Sequence, residues 1–243
     1  MDKRSQILVL VEGSKTDLRL LNHLLHIYGI DNKHEVVSYN TNIYVLYNQM
    51  FAEGDPDSID LLQLLKEREK DNEKKKIFDV HYSDIILVFD FEPQDPLFAS
   101  GNILEMMQYF NESSDNGKLY INYPMVESFY HMKSIPDEHY IDYVVSLDEL
   151  IKGTYKQRVN QENRNHNYLK FAVNREECNI VIRQNIEKAW YITETDGAES
   201  FILPDLIEVL RKQLQKVELE KVVSVLCTCA FYIVDYNSKF IQY

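Results

Sequence analysis

Two short runs, Ile7-Leu8-Val9-Leu10-Val11 and Ile85-Ile86-Leu87-Val88-Phe89, are apolar at every position, and a carboxylate follows each at once: Glu12 after the first, Asp90 after the second. A strand sends alternate side chains to opposite faces, so a run without polar alternation needs both of its faces covered. Parallel sheets with helices packed on them meet that need. These runs therefore predict an α/β architecture, a mostly parallel sheet flanked by helices, with acids waiting at the ends of its strands.

The intervening sequence fits. After Glu12-Gly13, Thr16 is the expected N-cap and Asp17 suits the positive end of a helix. Leu18, Leu21, Leu24, Leu25 and Tyr28 then repeat with helical period up to Gly29. His34–Tyr39 reads as a second strand, and Thr41–Leu65 as helix interrupted at Gly54-Asp55-Pro56. Lys66–Lys76 is a dense mixed-charge run of the kind found on solvated helix ends and loops, with Lys74, Lys75 and Lys76 as a local basic patch. Ser100–Phe110 reads as helix and Lys118–Tyr123 as strand.

Beyond about residue 145 helical periodicity takes over, with helices expected near 145–160, 165–193, 199–215 and 217–236. We expect an α/β domain over 1–144 and a helical C-terminal portion over 145–243 packed directly on it, since no repeat or low-complexity linker separates them.

Charge and cysteine content narrow the chemistry. Lys+Arg number 26 and Asp+Glu 39, a formal net charge of −13. Such a chain has no general electrostatic grip on a nucleic-acid backbone, which is normally supplied by Lys and Arg. Cys178, Cys227 and Cys229 lack the spacing of a zinc knuckle, and on a helix the last two would point about 200° apart. Buried or free thiols in a reducing compartment are expected. No stretch approaches the roughly 18 apolar residues of a membrane span, and the apolar run near Met1 is shorter than a signal-peptide core. A cytoplasmic protein without membrane contact is the expectation.

The acids carry the functional signal. Glu12 closes the first apolar strand, Asp90 and Glu92 close the central one, and Glu127 follows the next strand and its Asn122-Tyr123-Pro124 break. In an open parallel sheet the carboxyl ends of neighbouring strands face one crevice. Carboxylates crowded together repel unless a cation sits among them, and hard oxygen donors with open positions suit Mg²⁺ or Mn²⁺. Metal-assisted phosphodiester cleavage is the reaction class that such a site serves. Pro93-Gln94-Asp95-Pro96 is good turn chemistry, so Asp95 reads first as a turn residue. Tyr120, Tyr123, Phe129 and Tyr130 are the aromatics placed to stack on bases.

This pattern resembles the TOPRIM domain, the metal-binding module of topoisomerases, primases and several nucleases. Leu10-Val11-Glu12-Gly13 matches its strand-end Glu, and Val88-Phe89-Asp90-Phe91-Glu92 matches its Asp-x-Asp element, with Glu92 in place of the second Asp. Glu12-Gly13-Ser14-Lys15-Thr16-Asp17 is similar to the E-G-x-x-T-[ED] opening of the RloB-like branch that accompanies OLD-type ATPases in phage defence. Asn122-Tyr123-Pro124-Met125-Val126-Glu127 is similar to its N-P-x-x-E segment, with Tyr123 as an extra residue. The resemblance spans about residues 5–135.

What it implies is an Mg²⁺- or Mn²⁺-dependent nuclease acting on RNA such as tRNA, or on DNA, in an anti-phage defence system with an ABC- or OLD-type ATPase partner and oligomeric assembly as an option. Glu12 would be the general base or acid, Asp90 and Glu92 the metal ligands with Asp95 available to share that task, and Glu127 a second ligand or orienting group. Lys15 would contact a scissile phosphate, Asn122 the substrate, and Gly13 would admit close backbone approach. A non-catalytic module that docks the ATPase is the alternative, and small-phosphoester chemistry is a third reading that no P-loop or dinucleotide glycine pattern supports.

Overall fold

The computed structural model describes residues 6–52, 54–195 and 202–241. Its centre is a five-stranded sheet in the order β2-β1-β3-β5-β4, formed by β1 (Ile7–Val11), β2 (His34–Ser38), β3 (Asp84–Asp90), β4 (Asn111–Glu112) and β5 (Gly117–Asn122). β1, β2, β3 and β5 run parallel, and only the two-residue β4 is antiparallel. Every side chain of β1 is buried, as is β3 from Ile86 to Asp90, which is what a strand covered on both faces requires. Helices flank this sheet, and the chain is an α/β protein.

Strand order matters more than strand count for locating a site. The chain leaves β1 for β2 on one side and then crosses to β3 on the other, so the order reverses between β1 and β3. At such a point neighbouring connections depart in opposite directions, and a crevice opens beyond the carboxyl ends of the two strands. Glu12 and Asp90 stand at that crevice.

Helix α1 (Thr16–Ile27) buries Leu20, Leu21, Leu24 and Leu25 against the core. It closes on Gly29, whose φ of +69° is cheap only for glycine. There the Gly29 N–H reaches the His26 carbonyl and the Ile30 N–H reaches that of Leu25 at 2.9 Å. The interrupted segment resolves into α2 (Ile43–Phe51) and α3 (Leu61–Arg68), capped by the side chains of Asn42 and Asp60. The charge run continues through the single turn α4 (Asn72–Lys75), and α5 (Ser100–Tyr109) precedes β4.

The C-terminal portion is helical, with α6 (Leu147–Ile151), α7 (Tyr155–Glu162), α8 (Arg175–Thr193), α9 (Leu206–Glu220) and the short α10 (Tyr232–Tyr236). It shares one continuous hydrophobic core with the sheet, running from Ile7 to Ile241. The helix expected from 199 begins at Leu206, and the first residues of that expectation lie outside the described residues.

The helix expected over 217–236 is not formed as one element. Lys221 takes a left-handed φ of +58° and ends α9, and Val222–Ser224 form β7, antiparallel to β6 (Val144–Ser146). Val222 and Val223 are β-branched and favour this pairing, so the helical spacing of Val222, Val225, Leu226, Cys229, Ile233 and Val234 misleads. The loop that follows brings the Cys227 and Cys229 sulfurs to 3.4 Å, both buried and both free. Among the described residues, no helix is long and apolar enough to cross a membrane.

Candidate active site

Each of the two strand-end acids holds a backbone N–H from a neighbouring segment. One Glu12 carboxylate oxygen accepts the Asp90 N–H at 3.1 Å, and the Asp90 carboxylate accepts the Val126 N–H at 2.8 Å. The second bond joins β3 to the turn that carries Glu127. After Asp90 the chain bends sharply: Phe91 and Glu92 both donate their N–H to the Pro124 carbonyl, and Glu92 sits at a φ of +34°. A non-glycine residue held there costs on the order of 1 kcal/mol or more. The bend keeps the Glu92 carboxylate with the others rather than following the strand.

A residue not anticipated for the site joins from the first turn of α1. Thr16 does not cap that helix, because Lys15 occupies the N-cap position and no side chain caps it there. Asp17 is buried and turns back against the Gly13 backbone, whose N–H and its own favour its charged form. This reach is possible because residue 13 is glycine. A Cβ there would lie 2.5 Å from one Asp17 oxygen. Gly13 thus serves close approach as expected, but the group that approaches is Asp17.

The second unanticipated residue is Lys156 on α7. Its ammonium stands 3.3 Å from a Glu127 oxygen and lies in the field of Glu12, Asp90 and Glu92. Five carboxyls, those of Glu12, Asp17, Asp90, Glu92 and Glu127, therefore lie in the field of one ammonium, with Glu127 in contact with it. The electrostatics follow. Burial pushes the Glu12 carboxyl up to about 8, opposed by the Asp90 N–H and reinforced by the charges of Glu92 and Asp17.

Asp90 is raised well above its usual range by burial and then by the negative charges of Glu12, Asp17, Glu127 and Glu92. Burial also raises Glu92 and Glu127, each held back by Lys156, and raises Asp17, held back by its two backbone donors. For Lys156 burial alone would lower the pKa, but Glu127 and Asp90 outweigh it and the result is a rise.

Of the other expected site residues, Lys15 is exposed at the start of α1, and the cation that the acids share is Lys156 instead. Asn122 is fully buried: its side-chain oxygen accepts the Cys229 N–H at 3.2 Å and lies 3.6 Å from the Cys227 sulfur, while its side-chain nitrogen has no hydrogen-bond partner among the described residues. Asp95 accepts the Leu97 N–H at 2.7 Å and the Asn42 side-chain amide at 2.7 Å, so it fastens its turn to α2 while adding negative charge beside Glu92. Tyr120, Tyr123, Phe129 and Tyr130 are all core residues with no face to offer a base.

Among the described residues, no three His, Cys, Asp or Glu side chains are gathered as a ready-made metal cage. The donors present nevertheless suit a hard, hydrated cation, which binds through one or two carboxylates and keeps several waters. Two buried carboxylate oxygens, one on Asp17 and one on Glu127, have no hydrogen-bond partner among the described residues. Orphaned anionic oxygens in a buried site are costly without a counter-charge. A comparison of the chain with family models, curated proteins and solved structures finds no match.

Proposed function

We propose that this protein is a metal-dependent phosphodiesterase acting on nucleic acid, with its centre at the β1/β3 crevice. The observation that carries this reading is the convergence of five buried or half-buried carboxyls on one lysine, with orphaned oxygens on Asp17 and Glu127. Asp90 and Glu92 are the residues to hold Mg²⁺ or Mn²⁺, with Glu127 and Asp17 completing or orienting the shell. A bound divalent ion supplies polarisation of a phosphoryl oxygen and a more acidic water.

Glu12, fixed by the Asp90 N–H, exchanges a proton with the attacking water or the leaving oxygen. Lys156 places a positive charge beside Glu127 and steadies the phosphate.

The similarity of the Glu12–Asp17 and Asn122–Glu127 segments to the RloB-like TOPRIM branch supports a role as the nuclease effector of an anti-phage system, working with an ABC- or OLD-type ATPase. Its three free, buried thiols support action in the cytoplasm. The rival reading is a non-catalytic module that docks the ATPase, and one observation favours it: three donors are not already gathered among the described residues. Incubation of the purified chain with a tRNA pool and with plasmid DNA tests the proposal. Cleavage is expected with Mg²⁺ or Mn²⁺, none with EDTA, and a loss of at least about 100-fold in Glu12→Gln and Asp90→Asn. Undiminished metal-dependent cleavage by both variants would overturn it.

A further inference from the structure

An acidic protein that cuts a polyanion needs somewhere to hold it. A cavity of about 340 Å³ lies at the carboxyl end of β2, with Ser38, Tyr39, Asn40, Arg68, Glu69 and Lys70 in its lining. It borders the candidate centre through the backbone of Glu12, whose carbonyl accepts the Asn40 N–H at 2.9 Å and the Ser38 hydroxyl at 3.4 Å. A ligand seated there lies one strand away from the Glu12 carboxylate, on the side opposite Asp90.

The lining is chemically one-sided. Arg68 is exposed, stacks over the Tyr39 ring at 4.5 Å and donates to the Gln49 side chain at 2.9 Å, which fixes the guanidinium in place. Lys70 is exposed beside it. Elsewhere in the same charge run Lys66 pairs with Asp79, and Lys76 with Glu73, whereas among the described residues Arg68 and Lys70 are not ion-paired. The one acid in the lining, Glu69, already accepts the Lys70 and Asp71 backbone N–H groups at 2.7 and 2.9 Å. The Asn40 side-chain amide, which gives one hydrogen to the Ser38 carbonyl, has a second to offer as a neutral donor.

We propose that this cavity seats a backbone phosphate of the nucleic-acid substrate, next to the one cut at Glu12, with Arg68 and Lys70 as its cationic contacts. The inference rests on the nuclease reading and adds the subsite that anchors the strand. A planar guanidinium held on an aromatic ring is preorganised for a phosphate oxygen, and the pair offers positive charge where the protein as a whole repels its substrate.

The test is fluorescence anisotropy with labelled single-stranded oligoribonucleotide and oligodeoxyribonucleotide, in Mg²⁺, on full-length Glu12→Gln protein so that the probe stays intact. The double variant Arg68→Gln/Lys70→Gln is compared with Lys74→Gln/Lys75→Gln, which removes the same charge from the same run outside the cavity. Loss of about 10-fold or more in affinity is expected for the first pair alone, with a slope of log K against log[salt] shallower by about one to two. Cleavage by the otherwise wild-type chain carrying Arg68→Gln/Lys70→Gln should show a raised KM with kcat little changed. Equal losses for both pairs, or no loss for either, would overturn the subsite while active wild-type protein leaves the nuclease reading standing. Wild-type protein that neither binds nor cuts either probe would overturn both.

Discussion

Removing one charge from the crevice should make the metal-free protein more stable, and Glu12→Gln is the substitution that isolates this. Glutamine keeps the shape of Glu12 and an oxygen to accept the Asp90 N–H. Each pKa unit corresponds to about 1.4 kcal/mol. The rise from 4.5 to about 8 therefore caps the cost of ionising Glu12 at about 5 kcal/mol, which relaxation and water entry reduce.

The sign follows from proton counting. The folded-state pKa is raised, so the folded state holds the proton to higher pH than the unfolded chain does, and stability falls as pH rises from 4.5 toward about 8. Between pH 6.5 and about 8 the Glu12 contribution alone amounts to about 1.6 kcal/mol as an upper value. Urea unfolding in EDTA across that interval should show wild-type stability falling with pH and a visibly flatter profile in Glu12→Gln. Saturating Mg²⁺ should raise the stability of both forms, since a ligand at about 100 times its Kd adds about 2.7 kcal/mol to a form that binds it. Superimposable pH profiles in EDTA would refute the claim that Glu12 is held in a repulsive, desolvated cluster.

Gly13→Ala places a methyl carbon against Asp17 and should destabilise by about 1–3 kcal/mol, and most of that loss should vanish in the Asp17→Ala background, a coupling read from a double-mutant cycle of denaturation midpoints. Glu92→Gly relieves a left-handed backbone and removes a charge, so metal-free stability should rise by about 1 kcal/mol while Mn²⁺ affinity falls.

His131 is buried between Tyr155 and Glu162, and burial lowers its pKa from 6.5 to about 4. The unfolded chain thus takes up this proton first, and the His131 contribution to stability is lost as pH falls from 6.5 toward 4. The difference between wild type and His131→Gln, followed by thermal melts over that range, should shrink accordingly.

What was legible in the sequence was what short-range pattern encodes. Both apolar runs became central parallel strands, and the acids that follow them meet at the crevice because strand ends meet there whatever lies between. Asp17 was visible only as a helix-start acid. Its recruitment depends on a backbone that turns tightly enough for its side chain to reach Gly13, and the glycine was the available clue. Lys156 sits on a polar helix with nothing in its local sequence to mark it, and only tertiary packing of α7 brings it to Glu127. Val222, Val225, Leu226, Cys229, Ile233 and Val234 satisfied a helical period that pairing of Val222–Ser224 with β6 overrode, which is how a partner strand far away in sequence defeats a local reading.

The central claim, that the crevice is a divalent-cation centre, is tested most directly by calorimetric titration of the metal-free chain with Mn²⁺. The account predicts saturable binding by the wild type that is lost in the Glu12→Gln/Asp90→Asn double variant, which remains folded by circular dichroism. Absence of binding in the wild type, or binding unchanged in the double variant, would contradict it.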